Sequence, residues 1–146
     1  MMDNALPEIL APAGDRSCFL AAVAAGADAT YMGLKNFSAR AGAENFSIAD
    51  IAAMVDLANQ HGRKVYVAFN SLLKGSDLGA AGRLIYRLQR DAQPNALIIQ
   101  DIGLIDIARQ AGYTGELHLS TLSNIACMQD VRAAYALGIR RVVLPR

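Results

Sequence analysis

The sequence predicts an α/β protein of the (β/α)8 TIM-barrel type, present as an incomplete barrel of about six parallel strands with helices outside. Three observations predict it. Strand-like and helix-like segments alternate along the whole chain with short returns, which parallel strands require. Gly26, Gly62, Gly112 and Gly138 each follow a helical pattern, where a residue without Cβ ends the helix in the left-handed conformation. In Glu116-Leu117-His118-Leu119-Ser120 the period of two puts the polar residues on one face and the leucines on the other. A sheet covered by helices on both sides should be apolar on both faces, whereas a barrel strand can turn polar groups into its lumen. The alternative, an open doubly wound sheet, is complete at about five or six strands, while a closed barrel needs about eight. The barrel is therefore expected to be unfinished at Pro145-Arg146.

The elements follow in order. Glu8 to Ala11 reads as a first strand, Pro12 to Gly14 as a turn, and Asp15 as the N-cap of a helix running to Ala25. Ala29 to Gly33 is a second strand. The long connection from Leu34 to Phe46 reads as a functional loop. Ser47-x-x-Asp50 is a capping box for a helix to His61, with Ile48, Ile51, Val55 and Ala58 three or four apart. Val65 to Asn70 alternates Tyr66, Ala68 and Asn70 against Val65, Val67 and Phe69, in the same sense as the Glu116 strand. A helix from Ser76 to Asp91, a strand from Ala96 to Gln100 and a helix from Asp101 to Ala111 come next. The strand Glu116 to Ser120, a helix from Asn124 to Leu137 and a strand from Arg141 to Leu144 complete the chain.

Composition narrows the class. With 53% hydrophobic and 18% charged residues, the 146 positions suffice for one globular domain, read as 1–146 and as the N-terminal portion of a longer barrel domain. A net charge of +1 excludes nucleic-acid steering by the whole surface and leaves room for a local basic groove. Cys18 and Cys127 lie in predicted helices without Cys-x-x-Cys spacing and are expected to be buried reduced thiols. The N-terminus lacks the succession of a signal peptide, and charged or polar residues interrupt every apolar run, so the expectation is a cytoplasmic protein with no membrane partner.

Taken in order, Leu10-Ala11-Pro12-Ala13-Gly14-Asp15, Gly26-Ala27-Asp28-Ala29-Thr30-Tyr31-Met32-Gly33, Phe37-Ser38-Ala39-Arg40-Ala41, Asn45-Phe46, Val65-Tyr66-Val67-Ala68-Phe69-Asn70, Ala96-Leu97-Ile98-Ile99-Gln100-Asp101-Ile102-Gly103 and Glu116-Leu117-His118-Leu119-Ser120-Thr121 resemble the N-terminal part of the peptidase U32 family. The resemblance implies a collagenase-like protease, or a factor required for hydroxylation of transfer or ribosomal RNA or for oxygen-independent ubiquinone synthesis. It also implies a cysteine-rich segment beyond this stretch, where some members hold an iron–sulfur cluster; within this chain no cofactor is assignable and no metal site is expected. Leu122 stands where the family often has Gln after Ser-Thr.

Barrel chemistry gathers at the C-terminal ends of the strands. That rule selects Asn70, Gln100, Asp101, His118, Ser120 and Thr121, joined by Arg40 and Asn45 from the long loop. Asp101 is a catalytic candidate standing where a helix N-cap belongs. His118 is either a general acid/base or a lumen histidine bonded to a neighbour such as Glu116. Ser120 and Thr121 sit in no Gly-x-Ser-x-Gly turn and are weak as nucleophiles, so they join Asn70, Gln100 and Asn45 as substrate-binding candidates. Arg40 is the leading binding residue, since a guanidinium over the mouth can clamp a carboxylate or phosphate; the competing partner is Glu44. The partners implied are an RNA or peptide substrate and a second copy across the open edge. Arg83, Arg87 and Arg90 share one helix face, a solvated stripe or a contact for RNA or another partner. A non-catalytic barrel fragment or binding module for a small acid or RNA segment is the competing function.

Overall fold

A computed structural model describes residues 6–35, 37 and 46–145; Arg40, Glu44 and Asn45 lie outside them. Six strands form one parallel sheet in sequence order: β1 (Leu10–Pro12), β2 (Ala29–Gly33), β3 (Lys64–Phe69), β4 (Ala96–Ile99), β5 (Glu116–Leu119) and β6 (Arg141–Val142). The helices α1 (Arg16–Ala24), α2 (Ile48–Gln60), α3 (Leu78–Asp91), α4 (Leu104–Gln110) and α5 (Met128–Ala136) alternate with them. This is a half-barrel of the predicted kind.

The local signals behave as their chemistry dictates. Asp15 accepts from the Cys18 N–H at 2.7 Å and starts α1. Ser47 and Asp50 close the capping box on α2. Gly138 ends α5 at φ +90°, and an added Cβ would stand 2.8 Å from an Arg109 guanidinium nitrogen that itself donates to the Leu137 carbonyl. The positive φ reserves that position for glycine, while the arginine end could move aside.

Alternation along the strands sorts the core into two layers. Val65, Val67, Phe69, Leu97, Ile99, Leu117 and Leu119 pack outward with Phe19, Ile51, Ile85, Leu88 and Leu104 of the helices. Ala29, Tyr66, Ala96 and Ile98 form a separate cluster on the inner face with Leu10 and Tyr31. Leu117 and Leu119 therefore face the helices, and His118 faces inward, as a lumen-polar strand requires.

Several boundaries move. The last helix begins at Met128 instead of Asn124, because Asn124 takes the left-handed conformation at φ 52° after a 3-10 turn over Thr121–Ser123. The fourth begins at Leu104 instead of Asp101, whose carboxylate is spent on the preceding turn. The cysteine expectation fails: both Cys18 and Cys127 are exposed. In α1 the core position goes to Phe19, its neighbour, and Cys127 precedes α5 as its N-cap.

Candidate functional site

Strand register stacks the inward residues in layers. At the N-terminal end Tyr31, Tyr66, Ala96 and Glu116 are aligned across β2 to β5. One step higher come Gly33, Ala68, Ile98, His118 and Arg141. The top paired layer, Phe69, Ile99 and Leu119, faces the helices. Asn70, Gln100 and Ser120 follow it by one residue each, just past the C-terminal ends of β3, β4 and β5, the end at which the mouth of a barrel opens.

The lower lumen holds an ion-pair network. Glu8, just before β1, accepts from Arg141 Nη1 at 2.6 Å and from Tyr66 Oη at 2.8 Å through Oε1, and from Lys64 Nζ at 2.9 Å through Oε2. Burial pushes the Glu8 carboxyl up, but the hydrogen bonds from Arg141, Lys64 and Tyr66, with the Arg141 charge, outweigh it and bring the pKa down to about 2. Burial and the bond to Glu8 together raise the Tyr66 hydroxyl, so it stays protonated and donates. The Arg141 guanidinium also lies 5.4 Å from the Tyr66 ring centre, over its face.

His118 is attached to this network. It is 1% exposed, meets Tyr66 edge to face at 4.9 Å, and its Nε2 lies 2.8 Å from Glu116 Oε2. Burial lowers its pKa, the Glu116 carboxylate opposes that, and the nearby Arg141 charge reinforces it; the net direction is down. The imidazole is thus neutral at pH 7, and with the proton on Nε2 it donates to Glu116. Of the two readings the sequence allows, the bond to Glu116 is formed. A neutral buried imidazole also remains competent as a base.

At the mouth, polar groups hold the loops together. Asp101 Oδ1 accepts from the Gly103 N–H at 2.9 Å and Oδ2 from the Leu73 N–H at 3.2 Å, so its carboxylate joins the β3–α3 and β4–α4 loops. Ser120 is 6% exposed and its Oγ accepts from the Leu122 N–H at 3.2 Å. The Ser123 hydroxyl donates to the Gln100 carbonyl at 2.9 Å. Thr121 is exposed in the 3-10 turn, while Asn70 and Gln100 are half-buried. Among the described residues no Ser or Cys side chain bonds a histidine, so no nucleophile–base pair is assembled there.

Sequence reasoning did not select Glu8, Lys64, Tyr66 or Arg141 as site residues. The strand-end rule that selected His118 passes over them, although the parity that turns His118 inward also puts Glu8, Leu10 and Pro12 on one face of the first strand and Lys64 and Tyr66 on one face of the third. What the parity does not supply is that they meet.

Among the described residues no group of three or more His, Cys, Asp or Glu could hold a metal ion. The chain's own Cys18 and Cys127 fall short of the about four thiolates an iron–sulfur cluster takes, so these residues do not fit a cluster of their own. Among the described residues no helix is long and apolar enough to cross a membrane.

Comparison with known proteins places this architecture. The 23S rRNA 5-hydroxycytidine C2501 synthase of Escherichia coli is 36% identical over 139 residues, 95% of this chain and 20% of that protein. The tRNA hydroxylation protein P1 of Bacillus subtilis is 34% identical over 140 residues, 96% of this chain and 33% of that protein. The chain thus spans between a fifth and a third of the length of these two curated relatives. A solved U32 peptidase shares the fold with a TM-score of 0.74 at 11% identity, over 99% of this chain and 60% of its own. A sequence profile for Peptidase family U32 matches residues 14–146, and the chain, with its half-barrel and polar lumen, belongs to that family.

Proposed function

We propose that this chain is the barrel part of an RNA-hydroxylation factor and that it holds a single nucleotide of a transfer or ribosomal RNA at its mouth. The observation that carries the reading is the row Asn70, Gln100 and Ser120, one residue past the helix-facing Phe69, Ile99 and Leu119 on three neighbouring strands. Two amides and a hydroxyl side by side suit the donor and acceptor edge of a nucleobase. A peptidase needs an activated nucleophile, and Ser120 Oγ is engaged with a backbone N–H instead. The names of the relatives in Escherichia coli and Bacillus subtilis support the same substrate class. Arg40 and Asn45, outside the described residues, extend the proposal as a phosphate clamp and a further hydrogen-bonding group. The cytoplasm, where these RNAs reside, is the proposed place of action. Any iron–sulfur chemistry belongs in this proposal to a segment outside this chain.

The test is nucleoside mass spectrometry of tRNA and rRNA from a strain lacking the gene. A hydroxylated nucleoside should disappear, return with the wild-type gene, and return poorly with Gln100→Ala. An unchanged nucleoside profile, together with gelatin or peptide cleavage that Ser120→Ala abolishes, would replace this reading with hydrolysis.

A further inference from the structure

We propose that the outward face of α3 is a track for single-stranded RNA leading away from the mouth. The inference rests on the RNA reading above and concerns a surface that reading does not use. Arg83, Tyr86, Arg87 and Arg90 stand at spacings of three, four and seven, which places them on one stripe, and all four are exposed. The opposite side of the helix, Ala81, Ile85 and Leu88, makes the core contacts, so the stripe has no packing role. Arg83 and Arg87 have no ion-pair partner among the described residues, and no acidic residue occurs in α3 before its last position, Asp91.

Tyr86 lies within this basic stripe. It is 54% exposed, and the Arg90 guanidinium, held by Asp91 at 2.6 Å, sits 6.0 Å from its ring centre. The other exposed tyrosine among the described residues, Tyr135 on α5, carries Arg140 over its ring at 5.2 Å in the same way. Exposed guanidinium groups on the same helix face as an exposed ring match a chain that alternates phosphates with flat bases. An acidic peptide would use the charges and leave the ring unexplained. A membrane surface would need large apolar side chains to insert, and the stripe has none.

Direction adds to the argument. In a β/α unit the helix begins at the mouth, and here the exposed Lys74 precedes α3 on that side. Arg83, Tyr86, Arg87 and Arg90 then descend the outside of the barrel over about 10 Å. An RNA strand with one nucleotide in the mouth can pass over Lys74 and continue along the stripe.

The test uses fluorescence anisotropy of the full-length natural protein with a labelled 15-nucleotide oligouridylate, an unstructured probe. The double variant Arg83→Gln/Arg87→Gln should bind about tenfold more weakly, and the slope of log affinity against log salt should shrink by about 1.4, two phosphates' worth for a single strand. Tyr86→Ala should weaken binding by about tenfold with the slope unchanged. Arg132→Gln within α5 removes an exposed charge elsewhere and should change affinity less than about twofold. Unchanged affinity in the double variant, no binding by the wild type, or binding only to vesicles of anionic phospholipid overturns the track. Nucleoside analysis separates the two proposals. If the wild-type gene restores hydroxylation while the double variant binds RNA normally, the track falls and the function stands; if α3-dependent binding occurs without any hydroxylation, the reverse holds.

Discussion

Glu8 and Arg141 are 133 residues apart in sequence, at the first and last strands of the sheet, yet their side chains meet at 2.6 Å. Six strands laid flat would hold these edges about 24 Å apart, at about 4.8 Å per neighbour. The ion pair therefore exists only because the sheet curls, and it fixes that curvature at the end opposite the mouth. Lys64 and Tyr66, reaching Glu8 from the middle strand, make the lower lumen a closed polar plug. Layers of inward side chains fill barrels of this type in general; here Lys64, Tyr66 and Arg141 reach Glu8 from three successive levels of the register.

Removing the charge should loosen the curl. Glu8→Gln keeps the shape and leaves Arg141 without its anion, and should cost about 1 to 2 kcal/mol after allowance for the water that still reaches the pair. The pH dependence has a defined sign. The folded-state pKa of about 2 lies below the ordinary 4.5, so the contribution is complete above pH 4.5 and disappears as pH falls toward 2. Urea titrations between pH 7 and pH 2 check it: the wild type should lose stability across that window, and Glu8→Gln should show a shallower loss.

Asp101 separates scaffold from chemistry. Its two oxygens accept from Gly103 and Leu73, so Asp101→Ala strands two N–H groups and should lower stability by about 1 to 2 kcal/mol. A residue that only ties loops should leave the proposed RNA hydroxylation, assayed per folded molecule of the full-length natural protein, nearly intact. A loss of activity of more than tenfold with an unchanged melting temperature would instead put Asp101 among the groups that touch substrate.

The legible part of this fold was the part carried by short-range periodicity. Alternation in Glu116–Ser120 places His118 inside and Leu117 outside before any strand is paired, because a pleat repeats every two residues. Capping residues such as Asp15 and Ser47 announce helix starts for an equally local reason. Glu8 and Arg141 were illegible because nothing within ten residues of either marks the other; only closure of the sheet brings them together. The helix start expected at Asn124 falls four residues early, because a left-handed conformation at a single residue leaves no mark on composition or periodicity. Cysteine usage, the ground for expecting Cys18 inside, does not say which of two adjacent helix residues, Cys18 or Phe19, meets the sheet.

The sheet has two edges, β1 and β6, each paired on one side only. Unpaired edge groups recruit another strand when nothing covers them. The 146-residue polypeptide expressed alone should accordingly self-associate, with a scattering mass above 15.5 kDa that rises with concentration. A stable monomer over a hundredfold concentration range would show that the Glu8–Arg141 closure alone is enough to protect the edges.

His118 yields the most discriminating measurement. Its folded-state pKa is lowered, chiefly by burial, with Arg141 adding to the shift and Glu116 opposing it; Glu8 and Tyr66 complete its charged and titratable surroundings. A histidine held neutral in the fold stabilises fully above pH 6.5, its ordinary value, and its contribution is lost as pH falls through the lowered one. This window opens at pH 6.5 and the one set by Glu8 at pH 4.5, so the stretch between the two reports on His118 without Glu8. His118→Asn should flatten stability just below pH 6.5 while leaving the limb below pH 4.5 in place. If the imidazole also transfers a proton during RNA modification, kcat in the variant should fall at least tenfold and lose its acidic limb, with KM nearly unchanged. If it serves only the lumen network, turnover per folded molecule should match wild type at every pH, and the general-base assignment of His118 would be withdrawn.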